Sequence, residues 1–267
     1  MRGFHRVPKT INAAGVQLRP SRDSVKDTIF EALRLGKSAA EKEADVICFP
    51  EHWLPEKNIP AKMDPLPALQ SLAEEYGVLI VGGAFYERID GRLYLSSPLI
   101  GRDGELKGRQ FKVHLFRREK KIAKPGKSHR MFQVNGYKLG ILVCYDIDFP
   151  ESSRSLALQG ADLLFCPSRI VKYGIEPWHQ YVTVRSLENR IPIVAPNVYS
   201  PPWFPGASVI VDLHEDPKTK ISYSRASTLH NGQRTGLVFQ DLDLAYHRRL
   251  RRERFSDRQP RAYGNLS

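Results

Sequence analysis

The amino-acid sequence predicts an α/β fold with mixed β-sheets. Short apolar runs, typical of buried strands, alternate along the chain with segments whose apolar residues recur at helical spacing. The Asp90-Gly91 turn signal joins two of these runs as a hairpin, which indicates that antiparallel strand pairs accompany the parallel ones. Because the sequence contains no internal repeat, linker or low-complexity segment, we expect residues 1–267 to form a single domain.

The composition favours a globular protein of a reducing compartment. Hydrophobic residues make up 41% of the 267 residues, which is enough for a sizeable core. No stretch approaches the ~18 apolar residues that span a membrane, and the N-terminus lacks the apolar segment of a signal peptide. The three cysteines, Cys48, Cys144 and Cys166, are too scattered for a disulfide framework or a Cys-x-x-Cys metal site. We therefore expect a cytoplasmic protein with no membrane partner.

The chain is basic, with 41 Lys and Arg residues against 29 Asp and Glu residues and a formal net charge of +12. The basic residues concentrate in two segments, 117–130 and 247–254. Neither segment is interleaved with the aromatic residues that stack on single-stranded nucleic acid, and no known nucleic-acid-binding motif is present. We therefore interpret both as solvated surfaces or contacts between protomers, and treat nucleic acid as the weaker alternative. The basic C-terminal tail, residues 247–267, is the segment we assign to oligomer contacts.

The first two strands of the predicted sheet flank a helix. We predict a strand over residues 10–18, followed by a helix that Ser21 caps and that extends to about Glu43. A second buried strand over 44–51 ends at a proline, which cannot donate a hydrogen bond into a central ladder. Glu51 therefore lies just past the end of a strand.

The next predicted elements are a helix over 65–76 and a buried strand over 78–86. This strand pairs with the apolar run that follows the Asp-Gly turn. Residues 105–116 form a further strand. Because alternate side chains of a strand share a face, we expect Lys112 and His114 to lie on the same side of it.

An apolar run that ends in a cysteine is the centre of the sequence. Residues 139–143 follow an Asn-Gly turn signal and predict a buried strand, so Cys144 lies where this strand meets the next segment. Pro150 suits the first turn of a following helix. Ligands of α/β sheets bind beyond the carboxyl ends of strands, and a cysteine near the N–H groups of a helix start gains thiolate character. From this stretch alone, Cys144 is either a nucleophile or an inert buried thiol.

The remaining predicted elements continue the alternation of strands and helices. We predict helices over 152–158 and 177–189, a proline-rich loop over 203–206, and strands over 161–167, 191–197, 207–212 and 235–242.

Three residues at or near strand ends suggest a hydrolytic site: Glu51, Lys112 and Cys144. A thiol that attacks a carbon–nitrogen centre needs a base to take its proton and return it to the leaving amine. It also needs a fixed positive group where the oxyanion develops. A carboxylate and an ammonium supply both functions without histidine, although spacing alone does not show that the three residues meet. We assign His114 and His129 structural roles.

Three segments, each with one of these residues, are similar to the signature blocks of the nitrilase, or carbon–nitrogen hydrolase, superfamily. They are residues 49–51, 111–116 and 140–151. The likeness continues with Glu119 ahead of a Pro-Gly turn and with later positions as far as residue 263, so it covers nearly the whole chain. Tyr-Asp directly after the cysteine favours the amidase-like branch over the nitrilases proper.

The resemblance implies a four-layer αββα sandwich whose protomers pair as homodimers or higher oligomers. It also implies hydrolysis of a small linear amide to ammonia and a carboxylic acid through a thioester, with no metal and no organic cofactor. On this chain it makes Cys144 the nucleophile, Glu51 the general base and later acid, and Glu119 an accessory glutamate. Lys112 and the backbone N–H of Tyr145 would stabilise the oxyanion. Lys112 should favour the Cys144 thiolate, and burial should raise the pKa of one of the two glutamates.

The substrate and two alternatives stay open at this point. The basic loop over 117–130 predicts that the amide also bears a carboxylate. Asp148 stands where many members of the superfamily carry arginine, and we attach no meaning to it from sequence. A nitrile substrate is an alternative of the same class, because both reactions begin with thiolate attack. An alternative of another class is a non-catalytic protein that uses its basic surface for binding. The other loops expected around the site are 53–63, 170–176 and 199–205.

Overall fold

Two β-sheets pack face to face, and helices cover the outer face of each sheet, in the computed structural model of the chain. The structure describes residues 9–54, 63–229 and 234–264. The strands are β1 (Thr10–Gln17), β2 (Val46–Cys48), β3 (Leu79–Val81), β4 (Phe85–Ile89), β5 (Arg92–Ile100), β6 (Leu106–Phe111), β7 (Met131–Val134), β8 (Tyr137–Ile141), β9 (Leu163–Phe165), β10 (Ile193–Ala195), β11 (Tyr199–Ser200), β12 (Phe204–Pro205), β13 (Val209–Glu215), β14 (Ser222–Thr228) and β15 (Gly236–Asp243). The α-helices are α1 (Val25–Ala40), α2 (Leu66–Tyr76), α3 (Glu119–Ile122), α4 (Pro150–Leu158), α5 (Ile175–Asn189) and α6 (Leu244–Ser256). Within the described ranges, none of these helices has both the length and the apolar character that crossing a membrane requires.

Both main sheets are mixed, as the sequence predicts. The first has the strand order β15-β1-β2-β3-β5-β4, with β6 paired to β5, and its strands β1, β2 and β3 run parallel. The second has the order β14-β13-β10-β9-β8-β7, and β8, β9 and β10 run parallel. Parallel neighbours end at the same edge of a sheet. The segments that follow β2, β8 and β9 therefore lie where α/β proteins bind their ligands.

Three apolar cores separate the four layers. Side chains alternate between faces along each strand, so Val46 and Cys48 of β2 enter the core between the sheets, whereas Ile47 packs in the core beneath α1 and α2. In β9, Phe165 enters the core between the sheets and Leu164 packs in the core beneath α4 and α5. The helices and sheets thus form an αββα sandwich, which confirms the predicted fold.

Helix α1 begins later than the sequence predicts. Ser24, rather than Ser21, is its N-cap, because the Ser24 hydroxyl accepts a hydrogen bond from the Asp27 N–H at 3.1 Å. The Ser21 hydroxyl instead accepts a hydrogen bond from the Ser24 N–H at 3.1 Å and so stabilises the turn that leads into the helix. Two serines three positions apart offer the same capping chemistry, and the sequence pattern does not distinguish them.

Two predicted strands differ from the structure in ways that matter for the site. The strand predicted over 78–86 is divided into β3 and β4 by the Gly82-Gly83 pair. The strand predicted over 105–116 ends at Phe111. The expectation that strand alternation places Lys112 and His114 on one face is therefore wrong, and Lys112 is buried whereas His114 is partly exposed.

The basic C-terminal segment is not an extended tail where the structure describes it. Residues 244–256 form α6, which buries Leu244 and Leu250 against the body of the protein. Arg248 lies 2.7 Å from Asp162, and Arg251, 3.8 Å from the same carboxylate, is 7% exposed. Part of the basic charge is thus neutralised within the chain. Strand β14, whose residues are mostly polar, is absent from the sequence prediction because it has no apolar period to reveal it.

Candidate active site

Glu51 lies just past β2, as the sequence predicts, and is 2% exposed. Its backbone forms an isolated bridge with Ala84, and its N–H donates to the carbonyl of Ser168 at 3.3 Å. The break between β3 and β4 allows this approach. Gly83 has φ +75°, and a Cβ at this position would meet the Pro50 carbonyl oxygen at 2.1 Å. Only glycine fits the turn that holds the Glu51 backbone.

Lys112 follows β6 directly and is held by backbone hydrogen bonds on both sides. Its N–H donates to Leu95, and its carbonyl accepts from Gly126. The side chain is 1% exposed. Its Nζ lies 2.7 Å from Oε1 of Glu51 and 2.9 Å from Oε2 of Glu119. The ammonium therefore lies between two carboxylates, although its two carboxylate partners are 61 and 7 positions away in sequence.

Glu119 begins the short helix α3 and is buried. Its Oε2 accepts a hydrogen bond from the Phe116 N–H at 2.7 Å, and its Oε1 lies 3.2 Å from Nε2 of His52. Burial acts to raise the pKa of this carboxyl. The hydrogen bond with His52, the charge of Lys112 and the Phe116 N–H outweigh burial and lower the pKa to about 2. The prediction that burial raises a glutamate pKa is therefore wrong for Glu119.

Lys112 is held in its charged form by the acidic groups around it. Burial alone would lower the pKa of the Lys112 ammonium, because a charge loses its hydration in the interior. The negative charges of Glu51 and Glu119, and that of Cys144 when it is ionised, outweigh that effect, so the pKa is raised above its ordinary value. The site thus has a fixed positive charge.

Cys144 follows β8 by two residues and starts a 3₁₀ turn over Cys144–Asp148. It has φ +48°, a left-handed conformation that a non-glycine residue adopts at some cost, and its N–H donates to the Pro167 carbonyl at 3.0 Å. The residue is half-buried, and it packs against the core between the sheets. The two other cysteines, Cys48 and Cys166, are fully buried core residues.

The Cys144 thiol has a raised pKa, contrary to the sequence prediction of a favoured thiolate. Burial raises its pKa most, and the charge of Glu51 raises it further. Lys112 and the backbone N–H of Arg169, which forms a hydrogen bond with the sulfur, act in the opposite direction but do not offset the first two. A thiol at rest needs a base at the moment of attack. The carboxylate whose charge acts on the Cys144 sulfur is that of Glu51, and its role as the base stays a prediction.

Asp146 and His114 form a connection that sequence reasoning does not predict. Asp146 is fully buried. Its Oδ1 accepts hydrogen bonds from the N–H of His114 and lies 2.8 Å from Nδ1 of the same residue, and its Oδ2 accepts from the Val143 N–H at 2.9 Å. These bonds join the segment after Lys112 to the segment around Cys144. The equal spacing in the sequence, Lys-x-His and Cys-x-Asp, is the signal that could have indicated the pair.

We expect Asp146→Asn to lower both stability and turnover. The asparagine amide replaces one carboxylate oxygen with an NH2 donor, where the structure has two backbone N–H groups and the Nδ1 of His114 around a carboxylate. One buried N–H group therefore loses its partner, at a cost of about 1–3 kcal/mol. Thermal unfolding and ammonia release measure the two effects. The control is Asp241→Asn, the same change at an exposed position of β15, and equal behaviour of the two variants would contradict the role of Asp146.

Among the residues that the structure describes, two groups of side chains have metal-ligand chemistry, with ligand atoms within 4.8 Å of one another: Glu51, His52 and Glu119, and His114, His129 and Asp146. In the first group, the Lys112 ammonium lies within 3.0 Å of both carboxylates and would repel a divalent cation. In the second, His114 and Asp146 are already hydrogen-bonded to each other at 2.8 Å. Neither arrangement favours a metal, and hydrolysis without metal or organic cofactor stays a prediction.

The low pKa of Glu119 makes stability depend on pH in a defined direction. A carboxyl whose pKa is lowered by folding stabilises the protein above its ordinary value near 4.5, and this contribution is lost as the pH falls towards about 2. We therefore expect Glu119→Gln to be less stable than the wild type at pH 7, with a difference that narrows as the pH falls over this range. Urea unfolding at several pH values measures it.

The control for this experiment is Glu75→Gln, at an exposed position on α2. It should change the free energy of unfolding by no more than about 0.5 kcal/mol. If the difference in the free energy of unfolding between the wild type and Glu119→Gln grew as the pH fell, the lowered pKa of Glu119 would be contradicted.

The structure brings together Glu51, Lys112, Glu119 and Cys144 at the carboxyl ends of the strands. Tyr145 is the second residue of the 3₁₀ turn, and its backbone N–H as an oxyanion donor stays a prediction. Of the four loops predicted around the site, the first, 53–63, lies mostly outside the described residues. Residues 117–130 contain Glu119, which is predicted to be the accessory glutamate, and their basic side chains are exposed.

Comparison with known proteins identifies a family over nearly the whole chain. The model of the family described as carbon-nitrogen hydrolase matches residues 12–252. The omega-amidase NIT2 of Xenopus tropicalis is 27% identical over 245 residues, covering 85% of this chain and 87% of that protein. A nitrilase of Pyrococcus abyssi is 28% identical over 272 residues, covering 95% and 99%.

A solved structure supports the fold. It is a mutant of the amidase from Nesterenkonia sp. AN1 in which the acetamide moiety of fluoroacetamide is attached to the active-site cysteine. It superimposes with a TM-score of 0.77 at 22% identity, over 100% of this chain and 98% of that one. The predicted resemblance is therefore confirmed: the chain belongs to the carbon-nitrogen hydrolase family and is an enzyme that acts on carbon–nitrogen bonds other than peptide bonds.

Proposed function

We propose that the protein hydrolyses a small linear amide to ammonia and a carboxylic acid, with Cys144 as the nucleophile. The observation that supports this most is the Lys112 ammonium, buried between Glu51 and Glu119 and close enough to Cys144 to act on its charge. A buried cation with two carboxylate partners beside a thiol is the set that attack on a carbonyl requires.

In the first half-reaction, Glu51 takes the thiol proton while the sulfur of Cys144 bonds to the amide carbon. The carbonyl oxygen becomes an oxyanion, which the Lys112 ammonium and the Tyr145 N–H stabilise. Glu51 then returns the proton to the nitrogen, the carbon–nitrogen bond breaks, and ammonia leaves a thioester on the sulfur. The raised pKa of the Cys144 thiol supports this order, because the proton is present at the start and must be taken by a base.

In the second half-reaction, Glu51 takes a proton from water as the water oxygen attacks the thioester carbon. The oxyanion forms in the same place as before. Its collapse expels the Cys144 sulfur, which regains a proton, and releases the carboxylic acid. Glu119 holds Lys112 in position throughout, through the contact of 2.9 Å between the two side chains.

A nitrile substrate is the alternative within the same family. The Pyrococcus abyssi relative is named a nitrilase and is as similar to this chain as the omega-amidase is. The two reactions are separated by assaying ammonia release from matched pairs, such as butyramide and butyronitrile. We expect turnover of the amide and at most a tenth of it, by order of magnitude, with the nitrile. Faster turnover of the nitrile would overturn the amide assignment.

A non-catalytic protein that binds through its basic surface is the alternative from another class. Helix α6 carries much of that charge, yet Arg248 and Arg251 lie beside Asp162, and Arg249 pairs with Glu253 at 2.9 Å. This internal pairing leaves less free charge than the sequence suggests. Tight DNA or RNA binding with a steep salt dependence, together with no hydrolysis of any amide or nitrile, would favour this alternative.

Three finer expectations from the sequence stay predictions. They are a carboxylate on the substrate, a cytoplasmic location, and association as a homodimer or higher oligomer. Light scattering after size exclusion measures the last of these. Exposed apolar side chains on the outer helices, Leu158 of α4 with Tyr181 and Val184 of α5, support such a contact.

A further inference from the structure

His52 contacts the buried charges of the site from the side of β4. It directly follows Glu51, and its backbone has φ +50°, with its N–H donating to the Ala84 carbonyl at 2.7 Å. The imidazole is 15% exposed and packs against the Tyr86 ring, with 5.2 Å between the ring centres. The backbone hydrogen bond and the ring contact together fix where the imidazole lies.

The imidazole reaches the charged groups through Glu119. Nε2 of His52 lies 3.2 Å from Oε1 of Glu119. The same oxygen accepts a hydrogen bond from the Lys112 ammonium at 3.0 Å, and Oε2 accepts one from the Phe116 N–H at 2.7 Å. Because an ionised carboxylate can only accept, the His52 ring must donate, and Nε2 is the nitrogen that carries the proton.

The two carboxylates that flank Lys112 are held differently. Each contacts the ammonium, Glu51 at 2.7 Å and Glu119 at 2.9 Å. In the part of the chain that the structure describes, Lys112 is the one donor to the Glu51 carboxylate, whereas Glu119 accepts from Lys112, the Phe116 N–H and His52. A carboxylate with more donors takes up a proton less readily. The asymmetry therefore favours Glu51 as the carboxylate that takes the thiol proton.

We propose that His52 is a positioning residue, whose Nε2–H holds Glu119 against Lys112 as a carboxylate and so leaves Glu51 to take and return the proton. The inference rests on the proposed amide hydrolysis and adds a residue to its machinery. His52 acts through Glu119 and has no contact with the substrate in this role.

The pKa of Glu119 agrees with this role. Burial raises this pKa, and the hydrogen bond with His52 is the largest of the effects that lower it, to about 2. The ionisable groups that face the pair are the Lys112 ammonium and, on its other side, Glu51 and Cys144, with the Tyr86 ring against the imidazole. Without the imidazole, Glu119 would compete with Glu51 for a proton at higher pH.

Three variants separate the hydrogen bond from the packing of the ring. His52→Phe keeps an aromatic ring against Tyr86 and removes the donor. His52→Asn also removes it, because its amide ends short of the Nε2 position, and asparagine accepts the positive φ readily. His52→Gln restores an N–H donor near that position. The control is His214→Phe, at an exposed histidine whose ring likewise lies 5.2 Å from a tyrosine ring, that of Tyr223.

The test measures kcat and KM for ammonia release from butyramide between about pH 5 and pH 8, with circular dichroism to show that each variant is folded. We expect His52→Phe and His52→Asn to lower kcat about tenfold, the low end for losing a hydrogen bond to a charged group, with KM within about twofold of the wild type. The acid limb of kcat/KM should move to higher pH by about half a unit to one unit. His52→Gln should recover most of the loss, and His214→Phe should match the wild type.

Alkylation of Cys144 by iodoacetamide separates failure of this inference from failure of the proposed reaction. The sulfur bonds to the methylene carbon, iodide leaves and the thiol proton is lost, so the step needs the base but breaks no amide bond. His52→Phe should slow alkylation about tenfold at pH 7, and His52→Gln should restore most of the rate. The same dependence in a protein that hydrolyses no amide would support the role of His52 and reject the proposed reaction.

Three results would overturn the role of His52. The first is hydrolysis of butyramide with kcat, the acid limb and the alkylation rate all unchanged in His52→Phe and His52→Asn, which leaves the amidase assignment intact. The second is a raised KM with unchanged kcat, because it would place the imidazole on the substrate. The third is an equal loss in His52→Gln and His52→Phe, because the donor would then not be what matters.

Discussion

Replacing Cys144 with alanine is expected to abolish ammonia release, by at least about 10⁴-fold, while the protein remains folded. The sulfur forms the bond to the amide carbon, and no other described cysteine can replace it, because Cys48 and Cys166 are fully buried. The fold should survive because the Cys144 N–H keeps its hydrogen bond to Pro167 and alanine removes a single atom from a half-buried side chain. Ammonia assay, circular dichroism and thermal unfolding measure these effects.

The matched control is Cys48→Ala. This thiol is fully buried within the core between the sheets, whereas Cys144 is half-buried at the edge of that core. The change should lower stability by about 1 kcal/mol, from the small cavity, and leave ammonia release close to the wild type. If Cys144→Ala released ammonia at a rate similar to Cys48→Ala, the cysteine mechanism would be wrong.

The sequence predicts that Glu51 and Cys144 each lie just past a buried strand, because each follows a short apolar run that ends in or near a turn residue. Their meeting does not follow from the strand ends alone, because β2 and β8 belong to different sheets. The αββα layers follow from the resemblance to the family, and the alternation of Val46, Ile47 and Cys48 shows how one strand contributes to two cores. The set of residues around the sulfur was thus predicted from the resemblance to the family and not from the spacing.

Details that depend on distant packing were not predictable. The bonds between His114 and Asp146 join residues 32 positions apart, and only the arrangement of the two sheets brings them together. The division of β3 from β4 at Gly83 serves the backbone beside Glu51, which the local sequence does not reveal. Apolar periodicity identifies strands by their buried faces, so it also misses the polar strand β14.

The directions of the pKa shifts could not be predicted from the sequence either. A pKa reflects the balance of burial against nearby charges, and the sequence gives neither the depth of a group nor its distances. At Cys144 burial and Glu51 outweigh Lys112, so the thiol is favoured. At Glu119 the balance is reversed, because His52, Lys112 and the Phe116 N–H all stabilise the charged form.

Replacing Lys112 with methionine should lower turnover by at least about 100-fold, the usual cost of losing one oxyanion donor. It should also lower stability, because Glu51 and Glu119 would remain buried, at 2% and 9% exposure, without the ammonium between them. Removing one partner of a buried ion pair costs about 3–5 kcal/mol. We expect this loss at pH 7 in urea unfolding, together with normal circular dichroism in buffer.

The double variant Lys112→Met, Glu119→Gln separates the two effects. It leaves one carboxylate in place of two that repel each other, so part of the lost stability should return. Turnover should not return, because the positive charge that faces the oxyanion is still missing. The stability deficit of the single variant should also narrow as the pH falls, since one of the two carboxylates can then take up a proton. Near-wild-type turnover in either variant would remove Lys112 from the mechanism, whereas lost turnover with unchanged stability would show that its charge acts on the reaction alone.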